Sequence, residues 1–176
     1  MTEDLGVRLR PVVEDDLAPL ERMFNEPEAL GIYNWGGWQN PRVWRRRFDE
    51  DGLIAGERNV LMIVNAADER LGFVSWRRIE PQTPFDRWEI GISLWPEHRG
   101  RGYGTVAQRL MVRYLFETTP AYRIQALTDA ENFAEQRALE KAGFTREGVL
   151  RGLAWRGGAF RDEVLYAVIR PDVDLA

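Results

Sequence analysis

Cysteine is absent from all 176 residues, which excludes disulfides, thiolate metal sites and a cysteine nucleophile. Histidine occurs once, as His98, so a multi-histidine metal site is excluded and no metal is expected. Lysine also occurs once: Lys141 is the only one among 24 basic side chains, the rest being arginine. Long hydrophobic runs are missing too. Apolar stretches such as residues 60–64 are far too short to span a bilayer, so no membrane association is expected. The first residues are acidic rather than apolar, which argues against a secretory leader and for a cytoplasmic location. The net charge of −4 lacks the basic footprint that nucleic-acid binding leaves. What remains, with 44% hydrophobic residues, is enough to bury a core without staples and fits one domain over residues 1–176.

Periodicity divides the chain into short elements. Residues 7–11 read as a strand. Residues 14–25 read as a helix, with Leu17, Leu20, Met23 and Phe24 on one face at helical spacing. An aromatic and glycine-rich segment follows, and Asn40-Pro41 reads as a cap and first helical residue opening a helix to Asp49. Three strands are expected at 59–65, 71–79 and 87–95, the first two close enough to form a hairpin. A helix over 105–117 carries an apolar stripe of Ala107, Leu110, Met111, Tyr114 and Leu115. Then come a strand at 123–128, a helix at 132–142 that stops at Gly143, and strands at 148–155 and 160–169 flanking the turn signal Gly157-Gly158. The order predicts an α/β (α+β) architecture: a single mixed, mostly antiparallel sheet with helices on both faces.

The most informative stretch is Arg99-Gly100-Arg101-Gly102-Tyr103-Gly104, at a strand-to-helix junction. Alternating glycines there expose backbone N–H groups at a helix N-terminus, a setting attractive to phosphate, and the arginines add mobile positive charge and forked donors. A tight turn uses glycine as well. Two further stretches decide between these readings: Asn132 through Glu140-Lys141-Ala142-Gly143-Phe144, and the closing segment 158–167 with Arg161-Asp162-Glu163. With these three in order, the chain resembles the GNAT family of acetyl-CoA-dependent N-acetyltransferases. The last two resemble the branch that acetylates ribosomal-protein N-termini.

The resemblance implies that acetyl-CoA is the co-substrate, its pyrophosphate held by Arg99, Gly100, Arg101, Gly102, Tyr103, Gly104 and Thr105. It also implies that backbone groups of Ile92, Ser93 and Leu94 bind the pantetheine arm and thioester carbonyl, and that Asn132 reaches the coenzyme. Glu89 interrupts an otherwise apolar strand and shares a face with Gly91 and Ser93, so it is the candidate base; a solvated glutamate fits the same pattern. Where the family motif has a serine that protonates the departing thiolate, this chain has Glu135, and an ionised carboxylate is a poor donor. The spacing of Asn132 and Glu135 matches a capping box instead. Tyr103 and Tyr33 are the alternative acids. Tyr33, Trp35 and Trp38, joined by Trp76, are candidates for the acceptor wall, or else aromatic packing under a loop. His98 reads as a solvated or phosphate-flanking residue.

The function expected is acetyl transfer to a primary amine, a protein N-terminus or a small molecule, by a monomer or homodimer. A coenzyme-binding protein without turnover is the competing reading, motivated by Glu135. The loop lacks the Lys-Ser/Thr ending of a P-loop, which disfavours a plain nucleotide-binding protein.

Overall fold

A computed structural model describes residues 5–79 and 87–174; the acidic residues Glu3 and Asp4 lie outside them. Seven strands form one sheet in the order β1-β2-β3-β4-β5-β7-β6. Their bounds are β1 Arg8–Pro11, β2 Arg58–Val64, β3 Arg70–Ile79, β4 Arg87–Leu94, β5 Arg123–Asp129, β6 Thr145–Arg156 and β7 Ala159–Ile169. Only the β4–β5 pair is parallel; the other neighbours run antiparallel.

The unbroken apolar run of β2 is explained by cover on both sides. Leu61 and Ile63 join a core with Val74, Trp76, Ile90, Ile124 and Tyr166, while Val60, Met62 and Val64 join a second core with Phe73. The first core is closed by α4, Tyr103–Thr118, and α5, Phe133–Ala142; the second by α1, Leu17–Asn25, α2, Pro27–Leu30, and α3, Arg42–Asp51. Strand alternation therefore sorts residues between two buried faces rather than between core and solvent.

Several boundaries differ from expectation for local reasons. The helix read from Glu14 begins as a 3-10 turn, Glu14–Asp16, and becomes α-helical only at Leu17. Asp16 ends that turn fully buried, accepting from Arg10 at 2.6 and 3.1 Å, from Arg70 Nε at 2.6 Å and from the Val13 amide at 2.9 Å. Burial pushes its carboxyl upward, but those donors outweigh it and hold the pKa below the ordinary value. Pro41, not Asn40, takes the cap position of α3, which starts at Arg42, one residue later than expected; the Asn40 side chain still accepts from the Arg42 amide at 3.0 Å from one residue before the cap. β6 starts at Thr145 and bulges between Leu150 and Ala154, where Asp162 Oδ1 accepts from the Gly152 amide at 2.8 Å. The β6–β7 turn is built on Gly157 and Gly158, both at positive φ (58° and 77°), as a two-residue primed turn requires. No helix among the described residues is long and apolar enough to cross a membrane.

The feature that positions the site is the parting of β4 from β5. Their parallel register runs only from Arg87↔Arg123 to Ile90↔Ala126. Beyond it, β4 stays on β3 as far as Gly72↔Leu94, and β5 stays on β7 as far as Asp129↔Glu163. Two halves of one sheet thus diverge from Gly91 onward.

Candidate active site

Two adjoining cavities occupy this opening. The larger, about 600 Å³, is lined by Ile92, Ser93 and Leu94 from β4, by Arg99, Gly100, Gly102, Gly104 and Thr105 from the loop and start of α4, and by Asn132 and α5. Gly100 and Gly102 hold left-handed φ of 73° and 83°, which turns the chain into α4 without a side chain in the way. Gly104 is different: its φ is ordinary, and a methyl there would meet Leu94 and Ile92 side chains at 3.7 and 3.8 Å, normal contact distances. The first amides of α4 lack intrahelical partners and face this cleft's end. The cleft thus offers strand-edge and helix-terminal backbone donors to an elongated anionic ligand.

The smaller cavity, about 230 Å³, lies on the α1 side and shares Leu30, Tyr33, Asn34, Ile92, Ser93, Asn132 and Glu135 with the first. Its far wall is β5 and β7. Asp129, almost fully buried, is paired with Arg156 at 2.7 Å. Arg156 also donates to the Tyr33 carbonyl at 2.5 Å, and the Tyr33 hydroxyl donates to the Glu131 carbonyl at 3.1 Å. These bonds clasp the β6–β7 hairpin to the segment after α2. Glu163 projects into this cavity, and no side chain among the described residues donates to its carboxylate. Burial raises its pKa; Arg156 pulls it down, while Glu89 and Asp129 push it up. Glu89 sits on the same sheet face, as alternation predicts, but its carboxylate accepts from Arg77 at 2.5 and 2.8 Å and from Gln125 at 3.1 Å. It does not line either cavity.

At the junction stands Glu135. The Asn132 side chain accepts from its amide at 3.3 Å, so the helix cap exists, but the reciprocal half of a capping box does not. The Asn132 amide goes to the Asp129 carbonyl instead, and the Glu135 carboxyl turns to Gln108 of α4, whose Nε2 donates to Oε1. Burial raises the pKa of Glu135 to about 7, against the lowering effect of Gln108. Two further buried atoms at the junction lack partners: Gln108 Oε1 and Ser93 Oγ.

Other expectations need correction. Trp76 is buried beneath α4 with its ring edge-on to Tyr114 at 5.8 Å, on the sheet face away from the smaller cavity. Trp35 packs on the second core and Trp38, 83% exposed, meets it edge-on at 6.2 Å; neither lines a cavity, so of the aromatic segment only Tyr33 does. The Tyr103 ring packs against the first core and edge-on to His98, and lines neither cavity. His98 is itself buried, 3.7 Å from Glu69, rather than solvated. Arg101 is exposed and outside the cleft lining. Arg99 lines the cleft but is no mobile arm: its guanidinium donates to the carbonyls of Leu94, at 3.0 Å, and Ala29, and burial lowers its pKa. Glu163 and Gln108 escape sequence reading. Glu163 looks like a charged flank of the last hairpin, although its alternation with Val164, Tyr166 and Val168 already separates it from their core. Gln108 is the polar residue beside the apolar stripe of α4.

A family model, the acetyltransferase (GNAT) domain, matches residues 7–145. The chain is 39% identical over 114 residues to the probable N-acetyltransferase YjcK of Bacillus subtilis, covering 62% of this chain and 61% of that protein. The chain thus spans about three fifths of that relative. It is 24% identical to the ribosomal-protein-serine acetyltransferase of Escherichia coli, covering 96% and 98%, and 24% identical to that organism's spermidine N(1)-acetyltransferase, covering 94% and 87%. Among solved structures, spermidine N-acetyltransferase from Vibrio cholerae, in complex with CoA and spermine, superposes with a TM-score of 0.80 at 18% identity, covering 95% and 97%. The seven-stranded fold with its parted central strands, and a family match over most of its length, make this chain a member of the GNAT acetyltransferase family.

Proposed function

We propose that this protein moves the acetyl group of acetyl-CoA to a primary amine by direct attack while both substrates are bound. The observation that carries this reading is the meeting of the two cavities at Ile92, Ser93, Asn132 and Glu135. A thioester entering along the cleft and an amine entering from the α1 side come together there. Orienting two reactants in this way supplies much of the rate of an acyl transfer.

Coenzyme binding falls to the cleft. Backbone groups of Ile92, Ser93 and Leu94 hold the arm, and Gly100, Gly102, Gly104 and Thr105 with the first amides of α4 hold the pyrophosphate. Glu163 is the base that keeps the amine neutral, in place of Glu89, because it opens on the acceptor cavity with an unengaged carboxylate of raised pKa. Glu89 raises that pKa by its own charge. The unengaged carboxylate of Glu163 makes the acceptor cavity favourable to a small cationic amine, for which spermidine is a suitable probe.

Thiol release from acetyl-CoA, followed with spermidine, simple diamines and short peptides with free N-termini, tests the reading. Amine-dependent release, with the diamine series outpacing the peptides, is expected. Tight acetyl-CoA binding by calorimetry without release for any amine overturns it in favour of a binding protein.

A further inference from the structure

We infer that Glu135 is the general acid of this enzyme, donating its carboxyl proton to the sulfur of the departing coenzyme in place of a hydroxyl group. The inference rests on the transfer reading above. Glu135 lines both cavities, at the point where they join, and so stands beside any thioester carbon that an amine in the second cavity can reach. Gln108 fixes the carboxyl from α4 by donating to Oε1, and Oε2 has no partner among the described residues. The buried Gln108 Oε1 and Ser93 Oγ, without protein partners among the described residues, add to the polar character of this junction.

The groups around Glu135 favour a carboxyl that keeps its proton. From α4 it meets a neutral amide. From β7 and β5, Glu163 and Asp129 line the smaller cavity, the latter already neutralised by Arg156 of β6. Arg99 from the loop is engaged with carbonyls. Tyr33 contributes a hydroxyl pointed at Glu131. Arg58 lines the acceptor cavity, and Arg137 and Lys141 of α5 line the donor cleft; none of the three forms an ion pair with Glu135 among the described residues. With a pKa raised to about 7 by burial, a substantial fraction of Glu135 carries its proton at neutral pH. That removes the objection that a carboxylate at this position is a poor donor.

In the step itself the amine nitrogen forms a bond to the acetyl carbon and the carbon–sulfur bond breaks. The proton lost by the amine goes to Glu163, the thiolate takes the proton of Glu135, and both carboxyls re-equilibrate with solvent. Thiol, amide and enzyme balance without any further reactant.

The test compares wild type, Glu135→Gln and Glu135→Ser in thiol-release assays from pH 6 to 9, alongside acetyl-CoA calorimetry. Glu135→Gln keeps the shape and loses the proton, so kcat is expected to fall about 100-fold while acetyl-CoA affinity stays within about twofold. The decline of wild-type kcat above pH 7 disappears in that variant. Glu135→Ser, which offers a hydroxyl, is expected to recover much of the rate. An infrared difference spectrum between wild type and Glu135→Gln at pH 7 is expected to show a protonated carboxyl band. Wild-type turnover with an unchanged rate and pH profile in Glu135→Gln, or absence of that band, overturns the acid role alone. Failure of wild type with every amine overturns the transfer reading and takes this role with it.

Discussion

The two glutamates of the acceptor face differ by what already holds them. Glu89 is tied to Arg77 and Gln125, whereas Glu163 has an open carboxylate over the cavity. As the proposed base, Glu163 acts only when deprotonated, and its pKa is raised, so the acidic limb of the profile climbs with pH through that raised value, before the decline that the proposed acid Glu135 imposes above pH 7. Glu163→Gln is therefore expected to lower kcat/KM about 100-fold and erase the acidic limb of the profile. Glu89→Gln is expected to shift that limb to lower pH, by removing a neighbouring negative charge, with a loss of only a few-fold. Steady-state kinetics across pH distinguishes the two, and equal losses would return the role to Glu89. The sequence shows both glutamates in strands of mixed character. What it does not show is which partner lies across the sheet, because that depends on registers such as Arg77↔Glu89 and Asp129↔Glu163 between distant segments.

At the scale of elements, the loop between β4 and α4 contains two kinds of glycine. Gly102 has a φ of 83°, which a β-branched residue adopts only under strain, whereas Gly104 already has a conformation open to any residue, and its missing Cβ would touch ordinary neighbours. Gly102→Val is expected to weaken acetyl-CoA binding at least tenfold by calorimetry, with an unchanged circular dichroism spectrum. Gly104→Ala is expected to bind nearly as wild type, and equal damage from both would mean that bulk rather than backbone shape matters. The element order, apart from the one-turn helix α2 at Pro27–Leu30, was legible in the sequence to within a few residues, because alternation, helical spacing and glycine stops are local signals. The site was legible in part. The cleft-lining Gly100, Gly102, Gly104 and Thr105 lie in a contiguous motif, and Ile92 to Leu94 follow from the resemblance; that Arg101 and Tyr103 of the same motif turn away from the cleft is not legible, nor is the place of Trp76, because a large aromatic in a doubly covered strand gives no sign of which buried face it takes. Asn132 and Glu135 carry cap spacing whether the carboxyl returns to the backbone or, as here, turns to Gln108.

For the molecule as a whole, Asp16 joins segments distant in sequence: Arg10 of β1, the turn into α1, and Arg70 at the start of β3. Removing its charge leaves the largely buried Arg10 with only the exposed Asp68 as counter-ion, so Asp16→Asn is expected to cost about 3 kcal/mol in urea unfolding at pH 7. Its folded pKa lies below the unfolded value, so the contribution is fully present above about pH 4 and fades as pH falls through the lower, folded value. The gap between wild type and Asp16→Asn should accordingly narrow toward pH 2, and a gap constant with pH would contradict the assignment.

The four residue pairs between β4 and β5 are the spine along which two leaves of the molecule are bound. One leaf carries β1 to β4; the other carries β5, β7 and β6. A coenzyme lodged past the end of that spine touches Ile92 to Leu94 on one leaf and Asn132 with α5 beyond β5 on the other. On the transfer reading proposed above it would act as an adhesive as well as a reactant. Its binding energy would then add to the cohesion of the fold in proportion to the logarithm of its concentration, so that the level of acetyl-CoA would set how firmly this protein holds together as well as how fast it works.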